Sequence, residues 1–264
     1  MLCDPGVRAR FIHPETDNMA TQDNFIFGIQ AVREAINAGK DIDKVLLRRG
    51  AGSDVLKELM ADIRHLDIPV QQVPLEKLNR VTRKNHQGII AWISQISYTD
   101  LASVLPGIYE SGDDPLILLL DGVSDVRNFG AIARSAECAG VHAIVIPISG
   151  SAAINSDAIK TSAGALLKIP VCRERDLVTA ARFLRDSGLK LFAATEKAEE
   201  LLYSADLTGP AAIIMGSEDR GVSNALLKDC EHWISIPMQG SISSLNVSVA
   251  AGVLLFETVR QRSL

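Results

Sequence analysis

Five consecutive apolar residues, Leu116 to Leu120 in PLILLLDGV (115–123), limit this chain more than any other feature. A strand with one wet face alternates apolar and polar residues, whereas an unbroken apolar run buries both faces. HAIVIPI (142–148), LKLFAAT (189–195), PAAIIMG (210–216) and WISIPM (233–238) have the same character, and LKIPVCR carries a further possible strand. Helical segments separate them: 128–139, one or two within 154–167, 177–188, 224–230, and a final helix whose Val249, Val253, Leu254 and Phe256 suit burial. Apolar strands alternating with helices predict an α/β domain built on a mostly parallel sheet covered on both faces.

The first part of the chain predicts a second, smaller α/β domain. FIFGIQAVREAINAG (25–39) places Ile29, Val32 and Ile36 on one helical face, with Gly39 as the stop. KVLLRR (44–49), IPVQQV (68–73) and GIIAWIS (88–94) read as strands. Between them lie a helix at 53–67, capped by Ser53 with Leu56, Leu59, Met60 and Ile63 inward, and a short helix in LEKLNRVT. The boundary falls in a polar linker at 97–112, after a short helix and before Asp113–Asp114–Pro115, and residues 1–21 read as a loose arm.

Ligands of parallel α/β sheets bind beyond the carboxyl ends of the strands. The segments found there are DGVSDVRNFGAIARSAECAG (121–140), TEKAE (195–199), SEDRGVS (217–223) and QGSISSLNVS (239–248), rich in glycine and small polar residues. No GxGxxG joins a strand to a helix and no GxxxxGK[ST] occurs, which argues against dinucleotide and P-loop chemistry. No GxSxG elbow supports a serine hydrolase. Four cysteines without a CxxC pair, and histidines without ligand spacing, give no metal site and point to a reducing, cytoplasmic setting. No run of 18 apolar residues predicts a membrane span. The net charge of −5 argues weakly against a nucleic-acid coat protein but leaves room for local basic patches. Residues 1–112 carry 13 basic against 14 acidic side chains, while 113–264 carry 14 against 18. The less acidic part holds LEKLNRVTRKNHQG (75–88), where Lys77, Arg80, Arg83 and Lys84 cluster.

NFGAIARSAECAGVHAIVIP (128–147), IIMGSEDRGVS (213–223) and ISIPMQGSISSLNVSVAAGVLLFE (234–257) resemble, in order and spacing, the three motifs of the SpoU family of RNA ribose methyltransferases. FIFGIQAV and NHQGIIA (85–91) resemble the amino-terminal domain of the branch that methylates a guanosine ribose in 23S ribosomal RNA. The resemblance covers roughly residues 22–262 and implies S-adenosylmethionine as cofactor, a carboxy-terminal trefoil knot and a homodimer with its pockets near the interface. It implies an RNA substrate-binding domain at 22–96 and a methyltransferase domain at 113–264. Transfer RNA as substrate, or a non-enzymatic RNA-binding factor on the same fold, are the alternatives.

The resemblance also assigns roles. Arg134 meets the target nucleotide, Glu218 pairs with it, and Ser244 and Asn246 serve the substrate or the cofactor loop. An arginine has a pKa above 12, so orientation and charge stabilisation suit Arg134 better than proton abstraction. Asn128 lies six residues before Arg134, 240° round an ideal helix, and is expected at the loop–helix junction as cap or pocket wall. One of the serines of SISSLNVS is expected to cap the last helix. Thr195, Met215, Gly216, Ile236, Met238 and Leu245 are the expected cofactor walls, and Arg83, Lys84 and His86 the candidate RNA contacts. Cys138 is expected to be a small buried hydrophobe.

Overall fold

A computed structural model describes residues 24–264, so the arm expected at 1–21 lies outside the described residues. The chain runs β1 (Phe25–Phe27), α1 (Ile29–Asn37), β2 (Ile42–Arg48), α2 (Asp54–His65), β3 (Val70–Val73), α3 (Leu75–Val81) and β4 (Ile89–Ile93). These form a four-stranded mixed sheet in the order β1-β4-β2-β3, in which only β2 and β3 run parallel. Ser53 caps α2 as expected, its hydroxyl accepting from the Leu56 N–H at 3.3 Å. The helices α1 and α2 bury Val32, Leu56, Leu59 and Ile63 on one face of the sheet, against Val45, Leu47, Ile89 and Ala91. Strand β1 was not foreseen, because Phe25–Phe27 passes straight into α1 through Gly28, whose φ of 90° makes the corner.

The segment 97–112 forms β5 (Tyr98–Thr99) and α4 (Leu101–Glu110). Then come β6 (Leu116–Asp121), α5 (Val126–Cys138), β7 (Ala143–Pro147), α6 (Ser156–Thr161), β8 (Val171–Glu174), α7 (Leu177–Asp186), β9 (Lys190–Ala194) and β10 (Glu200–Leu201). The chain ends with β11 (Ala211–Gly216), α8 (Asn224–Asp229), β12 (His232–Ser235) and α9 (Val247–Arg262). All strands from β5 onward form one parallel eight-stranded sheet in the order β10-β12-β9-β11-β6-β7-β8-β5.

The pleat of β6 explains its sequence. Leu116, Leu118 and Leu120 enter the core beneath α5, α6 and α9, while Ile117 and Leu119 enter the one beneath α4, α7 and α8. Each fully buried leucine or isoleucine contributes about 1.5–3 kcal/mol. Helix α5 approaches α6 so closely that a Cβ on Gly130 would stand 2.8 Å from the Ala158 carbonyl oxygen. Two expectations about helix faces fail. Val249 and Phe256 are 51% and 50% exposed on α9, where only one side packs against the sheet. Cys138 is exposed, because it closes α5 on the side away from the core.

A polar joint ties the two sheets together. Arg173 of β8 donates to the Ile42 carbonyl at 3.2 Å, approaches the Asp43 carboxylate at 3.7 Å and stacks 4.4 Å from the Tyr98 ring centroid. The Tyr98 hydroxyl donates to Asp43 at 2.7 Å. Burial pushes the Asp43 carboxyl above the usual carboxylate range, opposed by the Tyr98 hydrogen bond and the Arg173 charge. Arg175 pairs with Asp67 across the same junction.

Candidate active site

The carboxyl ends of β9, β11 and β12 open into a cavity of about 490 Å³, within the range of roughly 300–1,000 Å³ that small-molecule sites occupy. All six expected cofactor walls line it: Thr195 after β9, Met215 and Gly216 at the end of β11, Ile236 and Met238 beyond β12, and Leu245 before α9. Ala250 and Leu254 of α9 form further apolar wall; the sequence marked them only as helix interior. β12 ends at Ser235, so Ile236 and Met238 belong to the following loop.

One glycine shapes the rim. A Cβ on Gly216 would fall 1.9 Å from the Gly221 carbonyl carbon, because residues 217–221 fold back onto the strand end. Ser217 and Gly221 pair across that turn, with the Gly221 N–H on the Ser217 carbonyl at 2.9 Å. The Asp121 carboxylate, at the end of neighbouring β6, accepts from the Ser223 N–H at 2.8 Å and anchors the far side of the loop.

At the cavity mouth three side chains from three chain segments meet. Asn246 donates from Nδ2 to the Asn128 Oδ1 at 3.0 Å and to the Glu218 Oε1. Asn128 Nδ2 donates to the same Oε1 at 3.1 Å, and the Val247 N–H adds a bond of 3.3 Å. The carboxylate thus sits at the amino end of α9, where the helix dipole and a free N–H favour negative charge. All three hydrogen bonds to Glu218 reach Oε1, which leaves Oε2 as the remaining acceptor.

Three expectations are corrected here. The cap of α9 is Asn246 itself and not a serine: its Oδ1 accepts from the Ser248 N–H at 3.0 Å and the Ser248 hydroxyl at 2.6 Å. One amide therefore caps a helix with its oxygen and holds the cluster with its nitrogen. Asn128 is the third residue of α5, whose cap is Asp125, so Asn128 has its amide free for Glu218. Glu218 does not pair with Arg134. Glu218 is exposed and satisfied by amides, while Arg134 stands on another face of α5, exposed, and makes no ion pair among the described residues. The 240° separation of Asn128 and Arg134 already placed them on different stripes. Ser244 lines the cavity and is exposed.

Two of the three candidate RNA residues, Lys84 and His86, gather elsewhere. Lys84, Asn85, His86, Gln87 and Gly88 line a second hollow with Arg48 and Leu75, on the small domain, while Arg83 lies outside that hollow. His86 is turned inward: it is 7% exposed, its Nδ1 accepts from the Gly88 N–H at 3.0 Å, and its Nε2 faces the Asn79 amide oxygen at 3.1 Å. Both ring nitrogens are used inside the domain, so His86 holds the loop that presents its neighbours. Among the described residues, no group of three or more His, Cys, Asp or Glu side chains is placed to hold a metal ion, and no helix is long and apolar enough to cross a membrane.

Comparison with known proteins gives this geometry a context. Residues 115–256, more than half of the chain, match the model of the SpoU rRNA Methylase family. The chain belongs to the SpoU family. Residues 25–99 match the RNA 2'-O ribose methyltransferase substrate binding domain. The chain is similar to the 23S rRNA (guanosine-2'-O-)-methyltransferase RlmB of Yersinia pestis, with 37% identity over 242 residues, covering 90% of this chain and 98% of that protein. It is similar to the RlmB of Vibrio parahaemolyticus at 38% over 244 residues, covering 90% and 97%. Among solved structures of SpoU and related enzymes, the methyltransferase AviRb from Streptomyces viridochromogenes in complex with AdoMet superposes with a TM-score of 0.57 at 26% identity over 90% of both chains. An RNA 2'-O ribose methyltransferase superposes at 0.54 with 28% identity, covering 91% of this chain and 89% of that one.

Proposed function

We propose that this protein transfers a methyl group from S-adenosylmethionine to the ribose 2'-hydroxyl of a guanosine in 23S ribosomal RNA. The observation that carries this reading is the Asn128–Glu218–Asn246 cluster at the mouth of a cavity of small-molecule size. The match over nearly the full length of ribosomal RNA methyltransferases supports the substrate.

The cavity suits the cofactor. Met215, Ile236, Met238, Leu245, Ala250 and Leu254 offer an apolar slot for a purine, and Thr195, Glu196 and Ser217 offer polar groups for a ribose and an amino acid. The tight turn at Gly216 keeps backbone close to whatever fills the slot. When bound, the cofactor supplies an activated methyl group on a sulfonium, so the protein has to align the acceptor oxygen and ease loss of its proton. Asn128 and Asn246 hold Glu218 by its Oε1, and Oε2 accepts the hydrogen of the ribose hydroxyl. Ser244 at the rim supplies a second hydroxyl contact. Arg134 stands on another face of α5, away from this cluster, and is assigned to a phosphate of the bound RNA.

The exposed stripe of α9 supports a homodimer. Val249 and Phe256 flank Gly252 at helical spacing, and a Cβ on Gly252 would lie 4.0 Å from the Ser135 hydroxyl of α5. Arg134 neighbours Ser135 and so borders this apolar stripe, which we assign to the dimer contact beside the pocket. A trefoil knot is supported by the insertion of β12 between β9 and β10, followed by the return of α9 against α5. Residues 22–96 act as the RNA-binding domain, with Arg83 and Lys84 as contacts and His86 as their support, and the protein works in the cytoplasm.

The test is methyl transfer from labelled S-adenosylmethionine by the full chain, offered unmodified 23S ribosomal RNA or total transfer RNA. Label in ribosomal RNA alone is the expected result. Label in transfer RNA alone would replace the substrate, and label in neither would overturn the activity.

A further inference from the structure

The second face of the small sheet carries an aromatic strip that neither the cavity nor the basic hollow uses. The residues Phe25, Trp92 and Lys44 stand side by side across β1, β4 and β2, and Phe27 lies on β1 in the next row, opposite Ile90. All point away from the face that α1 and α2 cover. The helix α3 packs on β2 and gives Leu78 and Val81 to this second face, while Phe25, Phe27 and Trp92 remain partly exposed at the β1–β4 side. The rings touch: Phe25 and Trp92 have centroids 6.0 Å apart, and Phe25 and Phe27 6.3 Å. Two lysines hang over them, Lys44 Nζ at 4.7 Å from the Trp92 ring and Lys84 Nζ at 5.9 Å from the Phe27 ring.

We infer that this strip is a stacking platform for unpaired bases of the RNA substrate. Aromatic rings on an open sheet face, interleaved with lysines, fit single-stranded RNA, since bases stack on the rings and ammonium groups meet the phosphates. Lys84 also lines the hollow with Arg48, Asn85 and Gln87, so platform and basic hollow form one continuous track. A base that stacks on Trp92 displaces Lys44 from the ring and releases it toward the backbone phosphate. A paired duplex has no free base faces and gains nothing from the strip. The inference rests on the proposed RNA substrate and adds which element of that RNA the small domain grips.

The test uses the full chain carrying Trp233→Phe, so that Trp92 is the sole tryptophan. A ten-nucleotide oligoadenosine should quench Trp92 fluorescence saturably, whereas an RNA duplex of equal length should bind without quenching. Phe27→Leu should weaken oligoadenosine binding about tenfold with an unchanged salt slope, because stacking releases no counterions. Phe27→Tyr should restore it, which a general folding defect would not allow. Lys84→Glu should instead lower the salt slope. Binding of oligoadenosine without any change at Trp92, or full affinity in Phe27→Leu, overturns the platform and leaves the substrate reading intact. Absence of binding to any RNA overturns both. Trp92 fluorescence that follows protein concentration and ignores RNA assigns the strip to self-association and overturns the platform as well.

Discussion

Replacing Asn246 tests the cavity-mouth cluster, because this one amide caps α9 and holds both Asn128 and Glu218. Asn246→Ala removes a cap worth about 0.5–2 kcal/mol. It also removes a hydrogen bond to a carboxylate, worth about 1.5–3 kcal/mol at full strength and less at an exposed site. A net loss of ~1–2 kcal/mol follows, or about 2–8 °C in melting temperature for a chain of this size. The rate should fall far more. Glu218 would lose one of its two amide anchors, and a displacement of about 1 Å costs roughly a hundredfold. Asn246→Asp separates the two roles. Aspartate caps as well as asparagine, but it sets a second carboxylate against the Glu218 Oε1. Like charges raise one of the two pKa values. This variant keeps the cap but should melt below the wild type at about pH 8, where the two carboxylates repel, be nearly inactive there, and regain part of both stability and rate as pH falls and the pair takes up a proton. Single-turnover rates at saturating cofactor, taken below the melting transition, are the assay. A folded Asn246→Ala protein with the wild-type rate, or an Asn246→Asp protein fully active at the upper pH, refutes the reasoning.

Arg134→Ala should cut methyl transfer at least a hundredfold while cofactor affinity, read by calorimetry, stays within a few-fold, since the side chain lies outside the cavity lining. Gly216→Ala should cost roughly 1–3 kcal/mol or more through forced backbone movement, seen in melting curves, and abolish cofactor binding in any protein that folds. Burial lowers the pKa of His142, whose neutral Nδ1 accepts from the Leu116 N–H at 3.1 Å. The unfolded chain then binds the proton more readily, so this contribution is complete above the ordinary histidine value of about 6.5 and is lost as pH falls through the lowered value. Acidification should therefore lower the melting temperature of the wild type more than that of His142→Gln. Reversing the charge of Lys77, Arg80, Arg83 and Lys84 together should weaken RNA binding and flatten its salt dependence; an unchanged slope would remove them from the contact.

The large sheet was legible because β6, β7, β9 and β11 are apolar on both faces, a pattern that few other elements produce. Strands β1, β5 and β10 were not, since two or three residues are too few to show a period. The resemblance picked out the expected cofactor walls together with Glu218 and Asn246, and its first motif begins at Asn128. The mutual bonding of Asn128, Glu218 and Asn246 was not readable, because it depends on residues 118 and 28 positions apart meeting at one helix end. The apolar neighbours Ala131, Ile132, Ala133 and Ala136 suggested a buried partner for Arg134, yet the exposed side of α5 runs through that position. The joint of Arg173, Asp43 and Tyr98 spans 130 residues and left no local signal.

The most direct measurement is the position and bond type of the transferred methyl. Alkali cleaves RNA through the 2'-hydroxyl, so a methylated ribose protects the linkage that follows it. The full chain, given labelled S-adenosylmethionine and unmodified 23S ribosomal RNA, should yield a single labelled dinucleotide that resists alkali and begins with guanosine. The same reaction with Glu218→Gln, which keeps the shape but removes the charge, should yield little of it. Label released by alkali as a mononucleotide would place the methyl on a base and contradict an account in which this cluster aligns a ribose hydroxyl.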